Sequence, residues 1–171
     1  MHLLAHMAQP RRLPGISYKG FAAYFVTTVT LGRVKAFSLL DFGPLAQQAL
    51  TESADREQFA LSAYCLMPDH AHLLLTAASE GSDLRRMVSS WKQRTGFAWS
   101  RTHSAKLWQH GYWERVLRDD EDIVSIARYV IENPVRAQLV KEPRDYPLSG
   151  STVYTLEEIG AAVQMRVWWR H

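Results

Sequence analysis

Apolar and β-branched residues first gather in the run FAAYFVTTVTL at 21–31. Such a run predicts a central strand. A helix is expected over 41–54, with Asp41 as its cap and Leu45, Ala49 and Leu50 at helical spacing. Two further strands, 58–66 and 70–77, flank the turn Met67-Pro68-Asp69, where a proline that cannot donate to a sheet ladder is at home. Gly81-Ser82 opens a second helix to about residue 97, whose stripe Leu84, Met87, Val88 and Trp91 recurs at i, i+3, i+4 and i+7. Residues 107–118 favour strand by composition. The acidic run Asp119-Asp120-Glu121-Asp122 suits the start of another long helix, because negative side chains favour the positive end of the helix dipole. That helix carries Ile123, Ile126, Ala127, Val130 and Ile131 on its buried face. It is expected to close at Pro134, since the residue before a proline is pushed out of helical geometry. The order β-α-β-β-α-β-α predicts an α+β domain with helices packed on an antiparallel sheet. Residues 141–171 read as loop with room for a short helix, ending in the aromatic-basic Arg166-Val167-Trp168-Trp169-Arg170-His171.

The length of 171 residues fits one domain with its own core, and 47% hydrophobic residues exclude a disordered chain. A single cysteine, Cys65, excludes an intrachain disulfide or a cysteine-cluster metal site and fits a reducing compartment. No apolar run approaches the ~20 residues of a membrane helix. The start, MHLLAHMAQPRRLPG, places its arginines after the apolar stretch, the reverse of a secretory signal. A cytoplasmic protein with no membrane association is therefore expected. Net charge is only +3, but it is segregated. Residues 1–35 carry Arg11, Arg12, Lys19, Arg33 and Lys35 with no acidic residue, and eight Lys/Arg crowd 82–118 against Asp83 and Glu114. Segregated positive charge favours a polyanionic partner.

Two pairs of residues could carry chemistry. In the strand read at 70–77, His70 and His72 share a face about 6.6 Å apart at the backbone, so both imidazoles can converge on one ion. Two surface histidines beside a turn are the simpler reading of the pair alone. Tyr129 and Asn133, four residues apart, stack on one side of their helix beside its apolar stripe. There a tyrosine can put its ring on the core and its hydroxyl in a cleft, and the Asn133 carboxamide oxygen can ligate a hard cation. The alternative is an amphipathic boundary tyrosine and an ordinary residue before proline. If the pairs meet, two histidines and an oxygen could hold a divalent ion beside a phenol nucleophile. Periodicity does not say whether they meet.

Met67-Pro68-Asp69-His70-Ala71-His72-Leu73-Leu74 resembles the Pro-Asn/Asp/Glu-His-hydrophobic-His signature of HUH endonucleases of the single-tyrosine transposase type. Tyr129-Val130-Ile131-Glu132-Asn133-Pro134-Val135-Arg136-Ala137 resembles that family's nucleophile helix. Tyr18-Lys19-Gly20 with the strand after it, and Trp108-Gln109-His110-Gly111-Tyr112-Trp113-Glu114-Arg115-Val116, are similar to segments of its REP-associated tyrosine transposase branch. The resemblance spans roughly residues 11–148 and implies a ferredoxin-like α+β domain over 1–148, with 149–171 as a C-terminal extension packed on or beside it. It implies a single-strand DNA endonuclease and strand transferase that uses a divalent cation, Mg²⁺ or Mn²⁺. In that reading His70, His72 and Asn133 are metal ligands and Tyr129 is the nucleophile, forming a 5′-phosphotyrosine link. The implied partners are single-stranded DNA hairpins of REP-like repeats, met by a monomer or homodimer, with a cytoplasmic, nucleoid-associated location.

Arg11, Arg12, Lys19, Arg85, Arg86 and Lys92 then become candidate contacts to the hairpin backbone. Tyr112 and Trp113, or Trp168 and Trp169, could stack on unpaired bases. Two other functional classes stay open at this point: a non-catalytic, domesticated hairpin-binding protein, and a metal-dependent hydrolase that uses water in place of Tyr129.

Overall fold

In the computed structural model, which describes residues 21–118 and 122–162, β1 (Ala23–Val29), α1 (Phe42–Arg56), β2 (Phe59–Met67) and β3 (His70–Ala77) come first. They are followed by α2 (Leu84–His103), β4 (Trp113–Val116), α3 (Ile123–Ile131), α4 (Asn133–Arg136), β5 (Ser149–Gly150) and α5 (Leu156–Ala161). The strands form one sheet, ordered β4-β1-β3-β2-β5, with every neighbouring pair antiparallel. The first four strands interleave two βαβ units, which is the ferredoxin-like α+β arrangement. Arg11, Arg12, Lys19, Trp168 and Trp169 lie outside the described residues, as do Asp119, Asp120 and Glu121. Among the described residues, no helix is long and apolar enough to cross a membrane.

Helices cover both faces of the sheet, so its central strands are apolar on both sides rather than alternating with polar positions. On one face Tyr24, Val26, Leu61, Leu66, Leu73 and Leu75 pack against Leu50 of α1 and Leu84, Met87 and Trp91 of α2. The Trp91 indole N–H donates to Ala46 O at 2.9 Å and ties the two helices together. Gly43 is required at the start of α1, because a Cβ there would sit 2.7 Å from Phe37 O. On the other face Phe25, Ala63, Cys65, Met67 and Leu74 pack against Ile126, Ala127, Val130 and Ile131 of α3 and Ile159 of α5. Residues 149–162 are sewn into this layer. β5 pairs with Tyr64 and Cys65, α5 starts with a Thr155–Glu158 capping box, and Arg128 Nη1 donates to Ala162 O at 2.6 Å.

Three expectations need correction. The strand expected over 107–118 is confined to Trp113–Val116, preceded by a lone bridge between Thr30 and Trp108. Gly111 takes a positive φ of 74°, and the Lys92 ammonium captures the carbonyls of Gln109 at 3.0 Å and Gly111 at 2.6 Å, which turns the chain out of the ladder. The second helix runs on to His103, where Ser104 ends it in left-handed geometry (φ 50°). The third helix closes at Ile131, ahead of Pro134 as expected, but the chain is not pushed out of helical geometry: Glu132 keeps right-handed helical angles and Asn133 begins α4, with Pro134 in its first turn. A proline leaves the carbonyl four residues back without its usual N–H partner. Here Asn133 Nδ2 fills that role, donating to Val130 O at 3.2 Å and to Tyr129 O at 3.1 Å. At the other end of α3 the Asp122 side chain caps Val124 N at 3.0 Å, as an acid at a helix start should.

Two predictions follow from this packing. Leu74, fully buried between the sheet and α3, should cost about 2–5 kcal/mol on replacement by alanine. A loss well below that range in urea unfolding would show that α3 is not seated on the sheet. Burial lowers the Lys92 amine to about 8 from 10.5. Below that pH the ammonium is carried in both the folded and unfolded chains, and the folded form bears its desolvation. Between about 8 and 10.5 the unfolded chain holds more protons, so stability rises with pH. A neutral amine still has two N–H donors for its two carbonyls. Urea midpoints of the parent should therefore climb across that window relative to Lys92→Met, and parallel profiles would refute the assignment.

Candidate active site

Antiparallel pairing of β1 with β3 sets Val29 opposite His70 and Thr27 opposite His72. Alternation then turns both histidines to the α3 face, because Ala71, Leu73 and Leu75 fill the other. The two imidazole rings stand 4.9 Å apart between centroids, nearly perpendicular to each other. His72 stacks on Phe25 at 5.7 Å, and Tyr129 of α3 meets the same Phe25 ring edge-on at 6.2 Å. One phenylalanine thus brings the histidine pair and the helical phenol together. Trp113 takes a third side of that ring at 5.8 Å, so it is packing material rather than an open stacking surface.

Each imidazole is oriented through its Nδ1. His70 Nδ1 lies 2.7 Å from Asp69 Oδ1, and His72 Nδ1 lies 3.0 Å from Thr27 Oγ1. Asp69 is in turn held by Arg33 Nε at 3.1 Å, and Arg33 itself sits at a positive φ of 59°. The hydrogen bond to His70 holds the Asp69 carboxyl below its usual range, against its partial burial. Desolvation pushes His72 well below the ordinary histidine value, and the charges of His70, Arg136 and Arg33 push it the same way. His72 is therefore a neutral imidazole at neutral pH, the form that ligates a cation.

Asn133 spends its amide nitrogen on the carbonyls of Tyr129 and Val130, which orients its Oδ1 as the remaining acceptor. Arg136, two helical turns beyond Tyr129, lays its guanidinium 4.3 Å from the centroid of the Tyr129 ring. It also bonds Tyr129 O and meets Glu132 Oε2 at 3.3 Å. Burial pushes the Cys65 thiol up to about 12, so it is a packed side chain and no nucleophile. Among the described residues no three His, Cys, Asp or Glu side chains converge on a point. A cation held here would rest on two imidazole Nε2 atoms and the amide oxygen of Asn133. That donor set fits a divalent ion which keeps open positions for water and phosphate.

The remaining basic candidates fall elsewhere. Arg85 and Arg86 begin α2, at the opposite end of β3 from His70 and on the opposite face, and Arg86 meets Glu57 at 3.4 Å. The eight residues of β3 put about 25 Å between those ends. Lys92 holds the 109–111 turn. Tyr112 packs against the first core. Sequence reasoning missed Phe25, Arg33 and Arg136. Arg136 was open to detection, since a residue seven positions after Tyr129 shares its helix face. Phe25 was not, because its role depends on register.

Residues 22–133 match the family described as Transposase IS200 like. A REP-associated tyrosine transposase of Escherichia coli K12 is 28% identical over 135 residues, covering 77% of this chain and 76% of that protein. A Haemophilus influenzae protein assigned provisionally to the same class is 27% identical over 137 residues, covering 74% of this chain and 77% of its own. Among solved structures, a REP-associated tyrosine transposase bound to a REP hairpin superposes with a TM-score of 0.66 at 22% identity, over 84% of this chain and 82% of that one. With the match extending from β1 through the Tyr129 helix to Asn133, this chain belongs to the IS200-like transposase family.

Proposed function

We propose that this protein is a single-strand DNA endonuclease and strand transferase acting on palindromic hairpins of REP-like repeats, with Tyr129 as its nucleophile. The observation that carries this reading is the convergence of His72 and Tyr129 on the Phe25 ring. Membership of a transposase family and the resemblance to a hairpin-bound relative support the choice of substrate. His70, His72 and Asn133 would hold a divalent cation, Mg²⁺ or Mn²⁺, which supplies polarisation of the scissile phosphate oxygens.

The chain's own residues do the rest. Tyr129 Oη attacks the phosphorus, forming a tyrosine–phosphate bond to the 5′ side. The bond to the 3′ oxygen breaks, and that oxygen leaves as a hydroxyl after taking up a proton. The phenol proton passes to solvent. Because the phosphotyrosine keeps the energy of the phosphodiester, attack by a free 3′-hydroxyl reverses the step and joins strands. Arg136, stacked on the Tyr129 ring, is placed to meet a non-bridging phosphate oxygen with a planar, permanently charged donor. Asp69 and Thr27 fix the imidazoles so that no reorientation is needed when the cation arrives.

Incubation with single-stranded hairpin oligonucleotides and Mn²⁺ or Mg²⁺ should give a protein–DNA adduct that survives denaturing gels. Tyr129→Phe should lose the adduct and the cleavage while hairpin affinity and fold persist. Cleavage without an adduct in the parent protein would assign the attack to water, and hairpin binding without any cleavage would make this a binding protein. Arg136→Ala should lower the cleavage rate about 10–100-fold, the equivalent of one charge-assisted contact of about 1.5–3 kcal/mol, with hairpin affinity unchanged. An unchanged rate in single-turnover kinetics would remove Arg136 from the site.

A further inference from the structure

On the face of the sheet away from the histidines, the C-terminal half of α2 and the segment 104–108 border an open groove of about 520 Å³. Phe97 lines it and is 66% exposed, although it belongs to a helix whose core is already filled by Trp91, Thr95 and Trp99. A large aromatic ring turned outward on a well-packed helix contributes nothing to the core. Arg101, one turn further, sets its guanidinium 5.8 Å from the Phe97 centroid. Gly96 beside it adds no side chain, which leaves the edge of Trp108 as the groove's floor. Lys92 and Lys106 stand on the walls, and no acidic residue lines the groove.

A flat aromatic surface ringed by cations and free of carboxylates selects a ligand that has both a π face and negative charge. A nucleotide has both, whereas an acidic peptide has no need of the ring. The groove's position adds a second argument. Trp108 bridges to Thr30, whose N–H donates at 3.0 Å to Asp69 O, next to His70. The groove floor therefore stands two strand spacings, about 10 Å, from the histidine end of β3.

Resting on the reading of this chain as a single-strand DNA enzyme, we propose that the groove is a subsite for an unpaired nucleotide of the strand that enters the Tyr129 site. Its base stacks on Phe97, and its phosphate is held by Arg101 and Lys106. The strand reaches it around the end of β1, past the turn at 109–111.

Fluorescence anisotropy with three probes tests this: a blunt hairpin, the same hairpin with an oligothymidine tail, and oligothymidine alone. For the parent protein the tail should improve affinity, and Phe97→Ala should remove about tenfold to a hundredfold of that gain, the loss expected for one or two stacked bases. Phe97→Trp should keep the gain and show indole quenching on tail binding. Blunt-hairpin affinity and the circular dichroism spectrum should be unchanged in both variants. An equal tail gain in the parent and Phe97→Ala overturns the subsite, as does equal displacement of oligothymidine by polyglutamate, which would reduce the groove to bare charge. The adduct assay is scored separately on the same proteins. Loss of all cleavage with the Phe97-dependent gain intact refutes the enzymatic reading and supports the subsite. Cleavage by an enzyme with no such gain does the reverse.

Discussion

The pairing of β1 against β3 decides where the histidine pair and the ring it rests on stand. It sets Thr27 opposite His72 and brings Phe25 into line with Leu74, so the His72 ring has a hydroxyl to orient it and an aromatic plate to lie on. Because side chains alternate along a strand, a slip of one residue would turn both histidines into the core under α1 and α2. That core is filled by Leu73, Leu75, Trp91 and their neighbours, so the slipped register would bury imidazoles among apolar side chains and expose leucines. Hydrophobic burial on both faces thus protects the register, and the register makes the site.

The electrostatics follow from the same placement. Desolvation is the main force against protonating His72, and the neighbouring His70, Arg136 and Arg33 add to it. Asp69 supplies the nearby counter-charge, but it is committed to His70 and Arg33. The pocket is therefore poor in protons and rich in positive potential. Such a pocket welcomes a polyanion and keeps the His72 ring unprotonated. Arg136 serves in two ways. Its bonds to Tyr129 O and Glu132 close the end of α3, and its ring contact keeps a permanent cation over the phenol.

Strands, helices and the placement of the two residue pairs on them were legible because each depends on spacing within one element. The apolar runs at 21–31, 58–66 and 70–77 read as strands, and the stripe from Leu84 to Trp91 read as a helix. What failed to read through depends on contacts between elements. The turn at 109–111 owes its shape to Lys92, a residue seventeen and nineteen positions away from the carbonyls it holds. By composition Lys92 was one more solvated cation for a phosphate; in the fold its charge is largely spent on the protein's own backbone. The turn of helix that resumes at Asn133, right after α3 closes, was hidden for a related reason. A proline breaks a helix when nothing replaces its missing donor, and here the Asn133 side chain, in the adjoining position, donates in its place.

The placement of α2 shows how one helix can divide labour along its length. Its twenty residues span about 30 Å, running from Arg85 and Arg86 at the far end of the sheet to Arg101 near the histidine end. Charges that far apart exceed the screening length of roughly 8–10 Å at ordinary ionic strength, so they cannot act as one field on a single phosphate. The cations at the helix start, where Arg86 is partly answered by Glu57, are suited to a distant stretch of the same polyanion. Those at its end stand with an exposed aromatic ring, on the side from which an unpaired strand would enter the Tyr129 site. A basic helix read from sequence as a single patch is thus two separate groups of charge, only one of which stands beside an exposed aromatic ring. The distance between them is set by the length of β3, which the helix must travel back along to return the chain to the edge of the sheet.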